Sequence, residues 1–178
     1  MRLSEVGWPE LAAKAADADW AGELAEAVPE LVALAAIGGD APEPVLTHNT
    51  LGPGQVRRGK DRLVVFGWEH AGGQPPSWEL GNALMDWAID LNNMRVNATG
   101  ARALVEGYRA TAGALPALDM AMFQGAVTSL ANYVAGQVDF ALSAVDEDRR
   151  YADRGVRHLL THLPTRALLE QLLDVVVR

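Results

Sequence analysis

VLTHNTLGPGQV, residues 45–56, is the stretch on which the fold turns. It breaks a chain otherwise patterned for helices. Val45 to Thr47 reads as a short strand leading into a loop. Gly52 and Gly54 read as glycines that shape the backbone. After the turn RRGKD comes RLVVFGWE (62–69), the clearest strand, rich in β-branched and aromatic residues. Between them these segments predict one small β-hairpin.

Outward from the hairpin the pattern is helical on both sides. Upstream, Leu11, Trp20, Leu24, Val28, Leu31 and Leu34 recur near helical spacing within residues 9–37. Pro29 is expected to open a second helix at its first turn rather than sit mid-helix. IGGDAPEP (37–44) ends that helix with glycines and prolines. Downstream, HAGGQPP (70–76) reads as loop, and Leu80, Leu84, Trp87 and Leu91 step along a helix. Further helices are expected at Ala98 to Ala112, from an Asp119 cap through Phe123, Val127, Leu130, Val134, Val138 and Leu142, from Asp146 and Asp148 to about Leu163, and from Pro164 to the end. The fold class is mainly α, a single domain over residues 1–178 with one small hairpin.

Composition narrows the function classes. The chain has 178 residues, 49% of them hydrophobic, enough for a proper core. A net charge of −8 argues against nucleic-acid or membrane-surface partners. The absence of cysteine removes disulfides, thiolate metal sites and cysteine nucleophiles. No apolar run reaches the roughly 18 residues that span a bilayer. The first 17 residues carry three acids and no apolar block, unlike a signal peptide. The expected compartment is cytoplasmic.

The order of elements and the letters HNTLGPGQ (48–55) and VFGWEHAGGQPPSWELG (65–81) carry a resemblance. Helices, an HxxLxPGx loop, a hairpin ending in FGWE, a Gly/Pro loop and then four or five helices resemble the C-terminal lobe of the aminoglycoside phosphotransferase and choline kinase-like family. That family shares the protein-kinase fold, and its loop typically reads H-G-D-L-H-P-G-N, with I-D-W-E after the hairpin. His48, Leu51, Pro53, Gly54, Trp68 and Glu69 fall at the matching positions. The resemblance extends from about residue 20 to the C-terminus. It implies the helical C-terminal lobe of a protein-kinase-like fold and phosphotransferase ancestry.

The departures fall on the chemistry. By the resemblance, the catalytic aspartate that orients and deprotonates the acceptor hydroxyl aligns with Thr50. A threonine hydroxyl titrates far above neutral pH and is no general base. The metal-binding asparagine aligns with Gln55, one methylene longer, and the metal-binding aspartate with Gly67, which has no side chain. Magnesium wants hard oxygen ligands in tight octahedral geometry, so the expectation is no metal and no cofactor. No Gly-rich strand–loop–strand precedes the loop, and the two lysines, Lys14 and Lys60, fall in a predicted helix and a predicted turn. A nucleotide-covering N-terminal lobe is therefore not expected within this chain.

Each candidate residue has a bland reading beside the functional one. By the resemblance, His48 is expected to pack inward and bond backbone, against a catalytic role. Asn49 and Thr50 are expected to hold the turn through side-chain-to-backbone bonds, against ligand contact. Glu69 follows Gly67 by two residues and shares its direction if the strand continues; local pairing or solvent exposure competes with cation binding. His70 borders a flexible loop. Gln55, Trp68, Glu69, His70 and Asn49 are the candidate ligand contacts, although Trp68, Trp78 and Trp87 read first as core. By the resemblance, Glu79 lies near the family's helix-opening aspartate and is expected to cap or brace the loop. His158 and His162 have metal-ligand spacing but no third ligand.

The leading expectation is a catalytically inactive lobe that binds a small molecule or a protein. A homodimer is the default closed assembly. Its face would be the one that an N-terminal lobe normally covers, around Leu51, Val65, Phe66 and Trp68. The alternative is an enzyme: a phosphotransferase completed by another chain, or a metal-free catalyst using His48, Glu69 or His70.

Overall fold

The computed structural model describes residues 6–39 and 42–178. Part of IGGDAPEP lies outside the described residues. The protein is mainly helical, with seven α-helices and three two-stranded antiparallel sheets among the described residues. None of these helices is long and apolar enough to cross a membrane. The chain forms two compact units.

The first unit comprises residues 6–36 with Val127–Arg166. It contains α1 (Trp8–Lys14), α2 (Ala21–Ala35), α5 (Gln124–Ser143) from Val127 onward, and α6 (Asp146–Thr161). Its core joins Trp8, Leu11, Trp20, Leu24 and Leu31 to Val134, Val138, Ala152 and Val156. The fully buried Trp20 still satisfies its indole, which donates to Asp153 Oδ1 at 2.7 Å. Pro29 corrects the sequence expectation, because it lies inside α2 rather than at a helix start. An interior proline costs about 3 kcal/mol in a helix. Here the helix continues because Leu24, Leu31 and Leu34, on both sides of the proline, bury on one face. Asp146 and Asp148 also differ from expectation: Val145 takes the N-cap position without a side-chain bond. Both aspartates sit in the first turn, where carboxylates favour the helix dipole.

The second unit comprises Ile37–Ala126 with Ala167–Arg178. Strand β1 (Val45–Thr47) pairs with β4 (Gly72–Gln74), and β2 (Val56–Arg58) pairs with β3 (Leu63–Val65). Then come α3 (Pro76–Ala88), a third ribbon of β5 (Ile89–Asp90) and β6 (Arg95–Val96), α4 (Ala98–Ala112) and a 3-10 turn Met120–Phe123. Residues 167–177 of α7 (Arg166–Val177) close the unit. Helix α3 packs on α4 and on the 3-10 turn. Gly81 makes the second contact possible, since a Cβ there would land on the Met122 carbonyl.

Three expectations are corrected in this unit. The strand at 62–69 is only Leu63–Val65, because Gly67 adopts a left-handed conformation (φ 81°) and Trp68–His70 coils into a 3-10 turn. Gly72–Gln74, read as loop, is a strand, because β1 supplies the long-range partner that no local pattern announces. The helix expected to run through Leu91 stops at Ala88. Beyond it Asp90 accepts from the backbone N–H groups of Asn92 and Asn93 and from the Asn93 side chain, making a turn that folds β5 onto β6. The Asn93 side-chain bond is the chief reason that the Asp90 carboxyl lies below its ordinary range.

Candidate functional site

The loop between β1 and β2 is held from below by His48. Its side chain is 4% exposed and its Nε2 lies 2.9 Å from the Phe66 carbonyl. A carbonyl only accepts, so Nε2 carries the hydrogen and Nδ1 is left as an acceptor. Nδ1 faces the Thr50 backbone N–H at 3.4 Å and the Thr50 hydroxyl at 3.3 Å. One imidazole thus ties the loop to the end of β3 and also engages the Thr50 hydroxyl. Trp68 stacks edge-on to the same ring, with centroids 4.8 Å apart.

Glu79, in the first turn of α3, holds the loop from the other side. Its carboxylate accepts from the backbone N–H of His48 at 3.2 Å and of Asn49 at 3.1 Å. The Gln74 side chain donates to it as well, at 2.5 Å. Asn49 adopts φ 69°, a left-handed conformation that asparagine tolerates. Its Nδ2 donates to the His70 carbonyl at 2.7 Å, and its Oδ1 accepts from the Thr47 hydroxyl. These bonds give Asn49 a loop-holding geometry, with both ends of its amide engaged.

Gln55 and Gly67 meet in space. A Cβ on Gly67 would lie 2.9 Å from Gln55 Cγ, and the Phe66 N–H donates to the Gln55 carbonyl at 3.1 Å. Glu69 Oε1 would lie 3.8 Å from the same Cβ. Because the chain coils after Gly67, this proximity comes from the turn and not from strand alternation. The trio offers one amide, one exposed carboxylate and a bare backbone. No cluster of three or more His, Asp or Glu suited to a metal exists among the described residues. His70 is exposed, and only its carbonyl enters the network. His158 and His162 lie 4.2 Å apart, with His162 Nδ1 bonded to the His158 carbonyl.

Two of the three tryptophans read as core are at the surface. Trp68 is 56% exposed and Trp87 42%. Trp87 faces the loop, and its indole donates to the Leu51 carbonyl at 2.8 Å, so the polar edge is used while part of the ring stays wet. Together with Leu51, Val56, Leu63, Val65 and Tyr108, Trp87 lines an apolar groove of about 640 Å³ between the β2–β3 hairpin and helices α3 and α4.

Asp86 was missed at the sequence level. Its carboxylate lies against Gly52, where a Cβ would meet Oδ2 at 2.8 Å. Glu79 and Asp86 are seven apart on α3, a spacing that puts both on the loop side and was available as a signal. Partial desolvation, and then the Glu79 carboxylate, raise the Asp86 carboxyl above its ordinary value. The side chain still reaches solvent, which screens both effects. A raised folded-state value means that folding favours the protonated acid. That contribution is complete below the unfolded value and is lost as pH rises through the folded one. Asp86→Asn is therefore expected to stabilise the protein at neutral pH, by no more than about 1 kcal/mol. The gain should vanish in acid, and urea melts at pH 3.5 and 7.5 check both halves.

Neither a family model, nor a curated protein, nor a solved structure matches this chain.

Proposed function

We propose that this chain is a degenerate C-terminal lobe of the aminoglycoside phosphotransferase and choline kinase-like kind, inactive in phosphoryl transfer and acting by binding. The observation that carries the reading is the pairing of an intact scaffold with an emptied chemistry. His48 and Glu79 brace the loop at both faces. The base-equivalent hydroxyl of Thr50 is engaged with His48, and the two metal-equivalent positions, Gln55 and Gly67, converge without a carboxylate on either. Phosphoryl transfer rests on positioning and on charge neutralisation by the ion, and only the first is provided for. Calorimetric titration with ATP and magnesium tests the proposal. No heat of binding is expected at millimolar nucleotide, and a micromolar, magnesium-dependent affinity would overturn it.

Binding is supported by exposed apolar side chains around the same loop. On the hairpin, Arg57 pairs with Val64 across the strands and lies 5.1 Å over the Phe66 ring, so these three share one face. Val64, Phe66 and the neighbouring Trp68 are each at least 40% exposed. Exposed apolar side chains grouped near one loop in this way support an interface. In this proposal the face takes a protein partner or a second copy of the chain, and a small molecule enters from the groove side.

The enzymatic reading has one contact in its favour, the approach of the Thr50 hydroxyl to His48 Nδ1, which has the form of a nucleophile beside a base. The burial of His48 and the competing Thr50 N–H at the same nitrogen weigh against it.

A further inference from the structure

The groove beside the loop lies on the opposite face of the hairpin from Phe66. Register puts Val56 opposite Val65 and Arg58 opposite Leu63, and alternation places all four on one face. Val56, Leu63 and Val65 line the groove, so Arg58 stands on the groove side, directly across from Leu63. The hairpin tip carries Arg57, Arg58, Lys60 and Arg62 against the single carboxylate of Asp61, in a chain whose net charge is −8. Arg58, Lys60 and Arg62 are exposed and make no ion pair among the described residues.

We infer that this groove binds a single-chain anionic amphiphile, its hydrocarbon tail along Leu51, Val56, Leu63, Val65 and Trp87 and its carboxylate-type head at Arg58. The volume of about 640 Å³ falls within the range of small-molecule pockets. The lining explains the tail: it is aliphatic and aromatic, with hydroxyls only at Tyr108 and Thr111 and one carboxylate, Glu79. That carboxylate is already engaged by three donors of its own loop and strand. The same negative charge disfavours an anionic head beside it, which leaves the basic hairpin as the complementary site. The global negative charge does not forbid this, because charges beyond about 8 Å are largely screened at physiological ionic strength.

The inference rests on reading the lobe as a binding module, but its test is independent of nucleotide. Titration calorimetry with sodium laurate, below its micelle concentration, is compared with dodecyltrimethylammonium, which has the same tail and a cationic head. The expected result is a one-to-one laurate complex, with the cation at least about tenfold weaker. Arg58→Glu should weaken laurate by about tenfold or more. Leu63→Asp, at a residue 68% exposed and therefore outside the core, should abolish binding of laurate with the circular dichroism spectrum unchanged. Three results would overturn the inference: no laurate binding at millimolar concentration, equal affinity for both heads with Arg58→Glu indifferent, or a dimer that Leu63→Asp dissociates and laurate does not.

Discussion

Glu79→Ala is expected to destabilise the protein by about 2–4 kcal/mol, the largest effect of any single side chain at the loop. Its two oxygens receive three donors: the backbone N–H of His48, that of Asn49 and the side-chain amide of Gln74. Hydrogen bonds to a charged acceptor contribute about 1.5–3 kcal/mol each, and stranded donors add a desolvation cost. Glu79 is only partly buried, so water replaces part of what is lost and the sum falls below three full bonds. Glu79→Gln keeps one good acceptor and adds a competing donor, so it should cost about half as much. Urea melts measure both. An alanine variant within about 0.5 kcal/mol of the parent would show that the loop holds itself and that the brace is incidental.

His48→Ala should cost about 1–3 kcal/mol. The imidazole fills a buried site, donates to the Phe66 carbonyl and accepts from Thr50. Its removal strands that carbonyl and opens a cavity beside Trp68. Thr50→Ala removes only the longer hydroxyl contact and should stay within about 1 kcal/mol. The contrast between the two variants is the informative quantity. A His48 variant as stable as the parent would mean that the side chain is not an anchor, and a functional role would gain weight.

The helical frame was legible because its signals are local. Ala98 to Ala112 is a helix at the residues expected; Asn97 caps its start by accepting from Gly100 N–H, and Gly113 ends it at φ 78°. Asp119 was readable as a cap for the same reason, although it caps a 3-10 turn that leads into α5. Features set by distant partners were not legible. Gly72–Gln74 has no strand pattern and is a strand only because β1 lies beside it. Pro29 signals a helix start, and the burial of Leu31 and Leu34 beyond it overrides that signal.

The candidate site divides in the same way. The inward packing of His48 and the brace by Glu79 were expectations of the family resemblance, not of spacing or periodicity. The exposure of Trp68 and Trp87 was not expected, since an aromatic residue in a strand or helix pattern reads as core until its neighbours are known. Nor was the approach of Asp86 to Gly52, which depends on how α3 lies under the loop.

Under the proposal of a degenerate lobe, the loop is braced by His48 and Glu79 but holds no divalent cation. The amide signals of Gln55, Gly67 and Glu69 test this most directly, followed in nitrogen-resolved spectra while manganese and then ATP are added. Manganese occupies magnesium sites and broadens nearby signals paramagnetically. These three amides are expected to broaden no more than surface amides elsewhere, such as those of α6, at millimolar metal with or without nucleotide. Selective loss of the three signals at micromolar manganese, sharpened by ATP, would contradict the proposal.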